Sequence, residues 1–178
     1  MERKIILAGF GGQGILSAGK IIAEAGLIEG REVSWFPSYG PEMRGGTANC
    51  GVIISDGPIG SPVLDSCDVL IALNTPSLRK FESRVVSGGT IIVDRSLVDA
   101  NTLRKDVSFY PIEASRMASE KGNMAFATVM LLGCLSSVTG SFSGDSFEKA
   151  LRLTLPERHH HLIPVELEVF SAGAALAH

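Results

Sequence analysis

Two hydrophobic periods alternate along this chain. Short, largely apolar runs at Lys4 to Ala8, Val33 to Phe36, Thr47 to Ser55, Val69 to Leu73, Thr90 to Val93 and Val107 to Ile112 predict six strands, most of them bounded by Gly, Pro, Asp or Asn. From Gly14 onward, Ile15, Ala18, Ile22 and Ala25 recur at spacings of three and four, which predicts a helix that Gly30 closes. Thr75 to Val86 reads as a second helix, with Thr75 as its cap and Pro76 at the first helical position. Beyond residue 112 the strand signal fades. Glu113 to Lys121, Met124 to Ser137, Phe147 to Leu153 and Val165 to Leu176 then read as helices. The expected architecture is one α/β domain over residues 1–178: a Rossmann-like, open, mainly parallel sheet with helices on both faces and a helical C-terminal third.

Composition narrows the function classes. With 45% apolar and 20% charged residues in 178, the chain can fill a core. Its net charge is -3 and no run of like charge stands out, so a nucleic-acid partner is not expected. Cys50, Cys67 and Cys134 are odd in number and widely spaced, as for reduced thiols in a cytoplasm. They cannot supply the closely spaced thiolates of an iron–sulfur cluster or structural zinc. The 23 uncharged residues from Gly122 to Gly144 are diluted by Asn123, Thr128 and several serines, which favours a buried core helix over a membrane span. Near the start, Gly, Gln, Lys20 and Glu24 interrupt the apolar stretch, so neither a signal peptide nor a membrane anchor is expected.

Gly9, Gly11 and Gly14, within Gly9-Phe10-Gly11-Gly12-Gln13-Gly14, form G-x-G-x-x-G between a predicted strand and a predicted helix. In that motif the first glycine serves a tight turn, the second lets a phosphate near the backbone, and the third lets helix pack on strand. The helix N-terminus then presents amides and partial positive charge to an anion. A nicotinamide or flavin dinucleotide would need an acid at the end of strand two, where Phe36, Pro37, Ser38 and Tyr39 stand instead. Glu29 and Glu32 should lie at the strand's other end. The glycines serving only a strand-to-helix turn is the plainer alternative.

The second motif is Gly40-Pro41-Glu42-Met43-Arg44-Gly45-Gly46, in the loop after strand two and on the ligand-binding edge of an open parallel sheet, so it should face the glycine loop. Arg44 offers a planar fork of donors suited to phosphate, and Gly45 and Gly46 can turn amides toward the same anion. An exposed Glu42 to Arg44 ion pair is the bland alternative.

Together the two motifs resemble the gamma subunit of 2-oxoacid:ferredoxin oxidoreductases, of the 2-oxoglutarate or 2-oxoisovalerate type, equivalent to the third domain of pyruvate:ferredoxin oxidoreductase. The likeness runs over nearly the whole chain, including the Leu132-Gly133 helix and Phe170 to Gly173. Two departures are Thr128 and Glu166, which stand where that family often carries Asn.

The resemblance implies an oxidoreductase subunit without catalytic residues or metal ligands of its own. It would help hold or enclose coenzyme A while a 2-oxoacid is oxidatively decarboxylated to acyl-coenzyme A. Gly9, Gly11, Gly12, Gln13, Gly14, Gly40, Pro41, Glu42, Arg44, Gly45 and Gly46 are the coenzyme-binding candidates. Thiamine diphosphate, magnesium and iron–sulfur clusters would belong to alpha and beta thiamine-binding subunits and a delta ferredoxin-like subunit, with ferredoxin as acceptor. The stretch from Arg44 to Cys50 looks closest to members acting on 2-oxoglutarate or branched 2-oxoacids. The small subunit of indolepyruvate:ferredoxin oxidoreductase, a free-standing NAD-binding reductase domain and a ligand-free scaffold are the rival readings.

Among other residues, His159, His160 and His161 read as a solvated or interfacial turn, and the three cysteines as buried thiols. Met124 and Met130 suggest core or subunit contact, while Asp94 and Arg95 could touch a ligand or cap the next segment.

Overall fold

The computed structural model describes residues 1–38, 47–99 and 104–177. Its strands are β1 (Glu2–Phe10), β2 (Glu32–Ser38), β3 (Thr47–Ser55), β4 (Cys67–Ala72), β5 (Val85–Asp94) and β6 (Ser108–Ile112). They form one sheet in the order β2-β3-β1-β4-β5-β6. β1, β4, β5 and β6 pair in parallel, whereas β3 runs antiparallel to both β1 and β2. The sheet is therefore mainly parallel, with β3 the reversed strand. Because β3 is antiparallel to both of its neighbours, β2 points the same way as β1.

The helices are α1 (Ile15–Ile28), α2 (Thr75–Phe81), α3 (Ala114–Glu120), α4 (Phe126–Thr139), α5 (Gly144–Thr154) and α6 (Ile163–Ala175). Both faces of the sheet are covered, but unequally. Ile5 and Leu7 of β1 join Val69 and Ile71 of β4 and the buried sides of α1, α3, α4, α5 and α6 in one core cluster. Ile6 and Ala8 point the other way, to Leu78 and Phe81 of α2. Burial on two sides is why β1 reads as a continuous apolar run instead of an alternating one.

The second helix is shorter than its pattern predicts. Asn74, not Thr75, is its cap: the Asn74 side chain accepts from the Ser77 amide at 2.8 Å. Asn and Asp caps satisfy a first-turn amide that would otherwise lack a partner. The helix stops at Phe81, and after a 3-10 turn at Glu82–Arg84 the residues Val85 and Val86 begin β5. Arg104 Nη1 donates to the carbonyls of Glu82 (2.9 Å) and Val85 (2.7 Å), which gives the broken helix end a partner from the next loop. Local periodicity carries no sign of a donor twenty residues away.

The uncharged stretch forms α4, whose residues Phe126 to Leu135 are all buried. No helix among the described residues is long and apolar enough to cross a membrane. α4 crosses α6 at two glycines. A Cβ added at Gly133 would lie 1.9 Å from the Phe170 carbonyl oxygen, and one at Gly173 would lie 1.9 Å from that of Met130. Phe170 stacks on Phe147 of α5 with ring centres 4.1 Å apart, locking the three helices together.

Candidate functional site

The glycine loop lies where β1 hands over to α1, with Gly11, Gly12 and Gly14 exposed. Gln13 folds back across it. Its Oε1 accepts from the Phe10 amide at 2.6 Å, and its Nε2 donates to the Leu73 carbonyl at 3.4 Å. A Cβ at Gly9 would fall 2.7 Å from that same Oε1 and 2.9 Å from Ile15 Cδ1, so Gly9 lets these two side-chain ends approach the backbone. Gly14 is the N-cap of α1 at φ 76°, in the left-handed region where a side chain is strained. The nearest atom to a Cβ there is Thr128 Oγ1 at 3.8 Å. The expected division of labour is thus reversed: Gly9 supplies close packing and Gly14 the turn.

A glycine cap has no side chain to occupy the helix end. α1 has no side-chain capping bond and no acid in its first turn. The first amides of a helix have no intrahelical acceptor, and the helix dipole adds partial positive charge there. This end can receive an anion.

The motif from Gly40 to Gly46, including Pro41, Glu42, Arg44 and Gly45, lies outside the described residues. Its neighbours are placed: Thr47 pairs with Phe10, and Ser38 with Asn49 one register step from the Gly9 partner Ala48. Both flanks of the second motif thus sit at the same sheet edge as the glycine loop. Glu32 pairs with Ser55 at the opposite end of β2. Glu29 bonds the Ser143 amide and Ser146 Oγ, both at 2.7 Å. Neither acid reaches the ligand edge, so the ribose-reading carboxylate of a dinucleotide site has no counterpart on β2.

A cavity of about 310 Å³ opens beside the glycine loop. Gly12, Gln13 and Gly14 form one wall, and α4 and α6 supply others through Thr128, Leu132 and Glu166. Met124, 57% exposed, also borders it, whereas Met130 is core. Thr128 Oγ1 donates to the Gln13 carbonyl at 2.7 Å and ties α4 to the loop. Glu166 is 7% exposed, and burial pushes its carboxyl above the ordinary range. Sequence reasoning singled out these two residues as departures from a resemblance, and Thr128 also as a polar position in the uncharged stretch. Their real signal was a polar side chain set among apolar neighbours on a core helix.

Other candidates take structural roles. Asp94 is fully buried and accepts from the amides of Ser96 (3.1 Å) and Ser115 (3.2 Å) and from Ser115 Oγ, which makes it a cap and not a ligand contact. The histidines lie in a 3-10 turn at Glu157–Leu162, with His160 Nε2 3.0 Å from the Leu155 carbonyl. Cys50, Cys67 and Cys134 are free and buried. Burial pushes their thiols up to about 12, 12 and 11, far from reactive thiolates.

Comparison with known proteins places this geometry. The family described as "Pyruvate ferredoxin/flavodoxin oxidoreductase" matches residues 4–176. The chain is 39% identical over 175 residues to ketoisovalerate oxidoreductase subunit VorA of Methanothermobacter marburgensis, covering 97% of this chain and 36% of that protein. It is 38% identical over 160 residues to 2-oxoglutarate synthase subunit KorC of Methanocaldococcus jannaschii, covering 88% of this chain and 86% of that one. It therefore spans about a third of the VorA relative and most of the KorC relative.

Among solved structures, the keto/oxoacid ferredoxin oxidoreductase gamma subunit of Geobacter sulfurreducens superposes with a TM-score of 0.86 at 31% identity, over 99% of this chain and 98% of that one. A 2-oxoglutarate:ferredoxin oxidoreductase from Magnetococcus marinus, with 2-oxoglutarate, coenzyme A and succinyl-CoA bound, superposes at 0.88 with 28% identity, over 99% of this chain and 31% of that one.

Proposed function

Because the chain belongs to the pyruvate ferredoxin/flavodoxin oxidoreductase family, we propose that it is the gamma-type subunit of a 2-oxoacid:ferredoxin oxidoreductase, acting on 2-oxoglutarate and helping to hold coenzyme A. Residues 1–178 form one such domain on this reading. The observation that carries the subunit assignment is the match to KorC over 86% of that protein's length. The similarity to VorA favours a second reading for the substrate, a branched 2-oxoacid.

The residues present suit part of coenzyme A, which carries a diphosphate and a ribose phosphate. An uncapped, acid-free helix N-terminus at Gly14, next to the exposed Gly11 and Gly12, fits an anion. On this reading Arg44 of the second sequence motif would contribute a guanidinium fork suited to phosphate. Thiamine diphosphate, when bound, supplies the carbon–carbon bond cleavage. It belongs with magnesium to alpha and beta partners, and the iron–sulfur clusters to a delta partner. This chain's share is to bind and orient the thiol coenzyme.

The assembled complex tests the proposal by ferredoxin reduction. Arg44→Ala should raise the KM for coenzyme A by roughly tenfold or more, the equivalent of one charge-assisted hydrogen bond, and leave the KM for the oxoacid unchanged. Equal changes in both would remove Arg44 from the coenzyme site. Ranking kcat/KM for 2-oxoglutarate, 3-methyl-2-oxobutanoate and pyruvate decides the substrate.

A further inference from the structure

We propose that the cavity between α1, α4 and α6 binds an aliphatic primary ammonium group, with Glu166 as its counter-ion. The cavity, at about 310 Å³, lies at the lower end of the roughly 300 to 1,000 Å³ of small-molecule clefts. Ala18, Ile21, Val129, Leu132 and Leu155 make its walls largely apolar.

Its polar side chains are otherwise engaged. Gln13 spans the Phe10 amide and the Leu73 carbonyl, Thr128 donates to the Gln13 carbonyl, and Ser115 donates to Asp94. Ser17 is exposed. Glu166 differs from all of these. It is 93% buried, lines the cavity, and among the described residues has neither a hydrogen-bond donor nor a cation beside its carboxyl.

Its residue is buried, yet its carboxyl oxygens are not among the enclosed unpartnered atoms, so they open on the cavity where a ligand can meet them. Glu166 sits in the first turn of α6, where the helix dipole favours the carboxylate. Burial alone pushes the group toward its neutral form, and a cation beside it would reverse that. A carboxylate accepts and never donates, so its complement is a donor of opposite charge. Apolar walls around it call for an aliphatic stem. A phosphate in the same space would meet like charge, so this inference stands apart from the anion at the glycine loop. An ammonium on an aliphatic stem has two sources, a free amine or a lysine side chain of a partner subunit.

Calorimetric titration of the full chain with n-hexylammonium chloride, n-hexanol and sodium hexanoate reads the preference directly. The ammonium should bind at least about tenfold tighter than the alcohol, as a charge-assisted bond predicts, and hexanoate weakest. Glu166→Gln should abolish the preference and leave hexanol binding intact. In the unsubstituted protein, the pH titration of the Glu166 ¹³Cδ resonance should have its midpoint lowered by hexylammonium and unmoved by hexanol. Repeating the titration on the assembled complex separates the sources: retained binding identifies a free amine, and blocked binding a partner's lysine. Equal affinity for ammonium and alcohol, no binding of either to the full chain, or a preference that survives Glu166→Gln would overturn the proposal.

Discussion

Two glycine-built junctions in this molecule look alike in sequence and do opposite work. Where α4 crosses α6, Gly133 and Gly173 leave room for the facing backbone, since an added Cβ at either meets a carbonyl oxygen at 1.9 Å. Where β1 turns into α1, Gly12 and Gly14 adopt φ of 91° and 76°, with nothing closer than 3.8 Å to an added Cβ. The first junction is filled and holds the fold together. The second is open and leaves a helix end for something else to meet. A glycine alone is silent about its purpose; the space around its missing side chain tells the two apart.

The sharpest break in that comparison is Gly133→Ala or Gly173→Ala. Either must push two core helices apart and should destabilise the chain by about 3 kcal/mol, at the upper end of overpacking costs, as read by urea unfolding. A loss below about 1 kcal/mol, within the range of ordinary surface changes and mild swaps, would mean that the crossing yields easily. Gly14→Ala should cost less, roughly 1 to 2 kcal/mol from left-handed strain alone. The protein should stay folded while the coenzyme KM of the complex rises.

Thr128→Val removes the hydroxyl that holds the loop to α4 and should cost about 1 kcal/mol. Faster hydrogen exchange should then appear at the Gln13 and Ala18 amides, which donate to the Phe10 and Gly14 carbonyls, and unchanged exchange there would sever the loop from α4. The smallest effect is expected from Glu166→Gln. A carboxyl raised by burial in the folded state penalises folding once ionised, so the variant should be the more stable at pH 7. That advantage should shrink as pH falls and vanish below the ordinary carboxylate value of 4.5. A pH-independent difference would point to packing instead.

Strand positions, the first helix and the C-terminal helices were legible because their apolar periods are long and regular. β3 matches its predicted range Thr47–Ser55 residue for residue. Its reversed direction was not legible, since a strand buried on both sides reads the same whichever way it runs. The end of α2 was misread because a side chain from a distant loop, Arg104, satisfies the carbonyls there. The glycine motif was visible as a motif, yet the roles of Gly9 and Gly14 changed places because Gln13 folds over the loop. Thr128 and Glu166 drew notice as departures from a resemblance, not as parts of a site. Their meaning comes from α4 and α6 meeting α1, an encounter between segments more than a hundred residues apart.

The order of hydrophobic and polar residues was enough by itself to determine an α/β chain with a glycine-rich strand-to-helix turn at its start and a helical end, because those features depend on neighbours a few positions away. Only the tertiary structure decided which face each helix covers, which glycines are crowded and which are open, and that Glu166 has no partner beside the cavity among the described residues. Burial and partnership are properties of assembled surfaces, and no local stretch of sequence contains them.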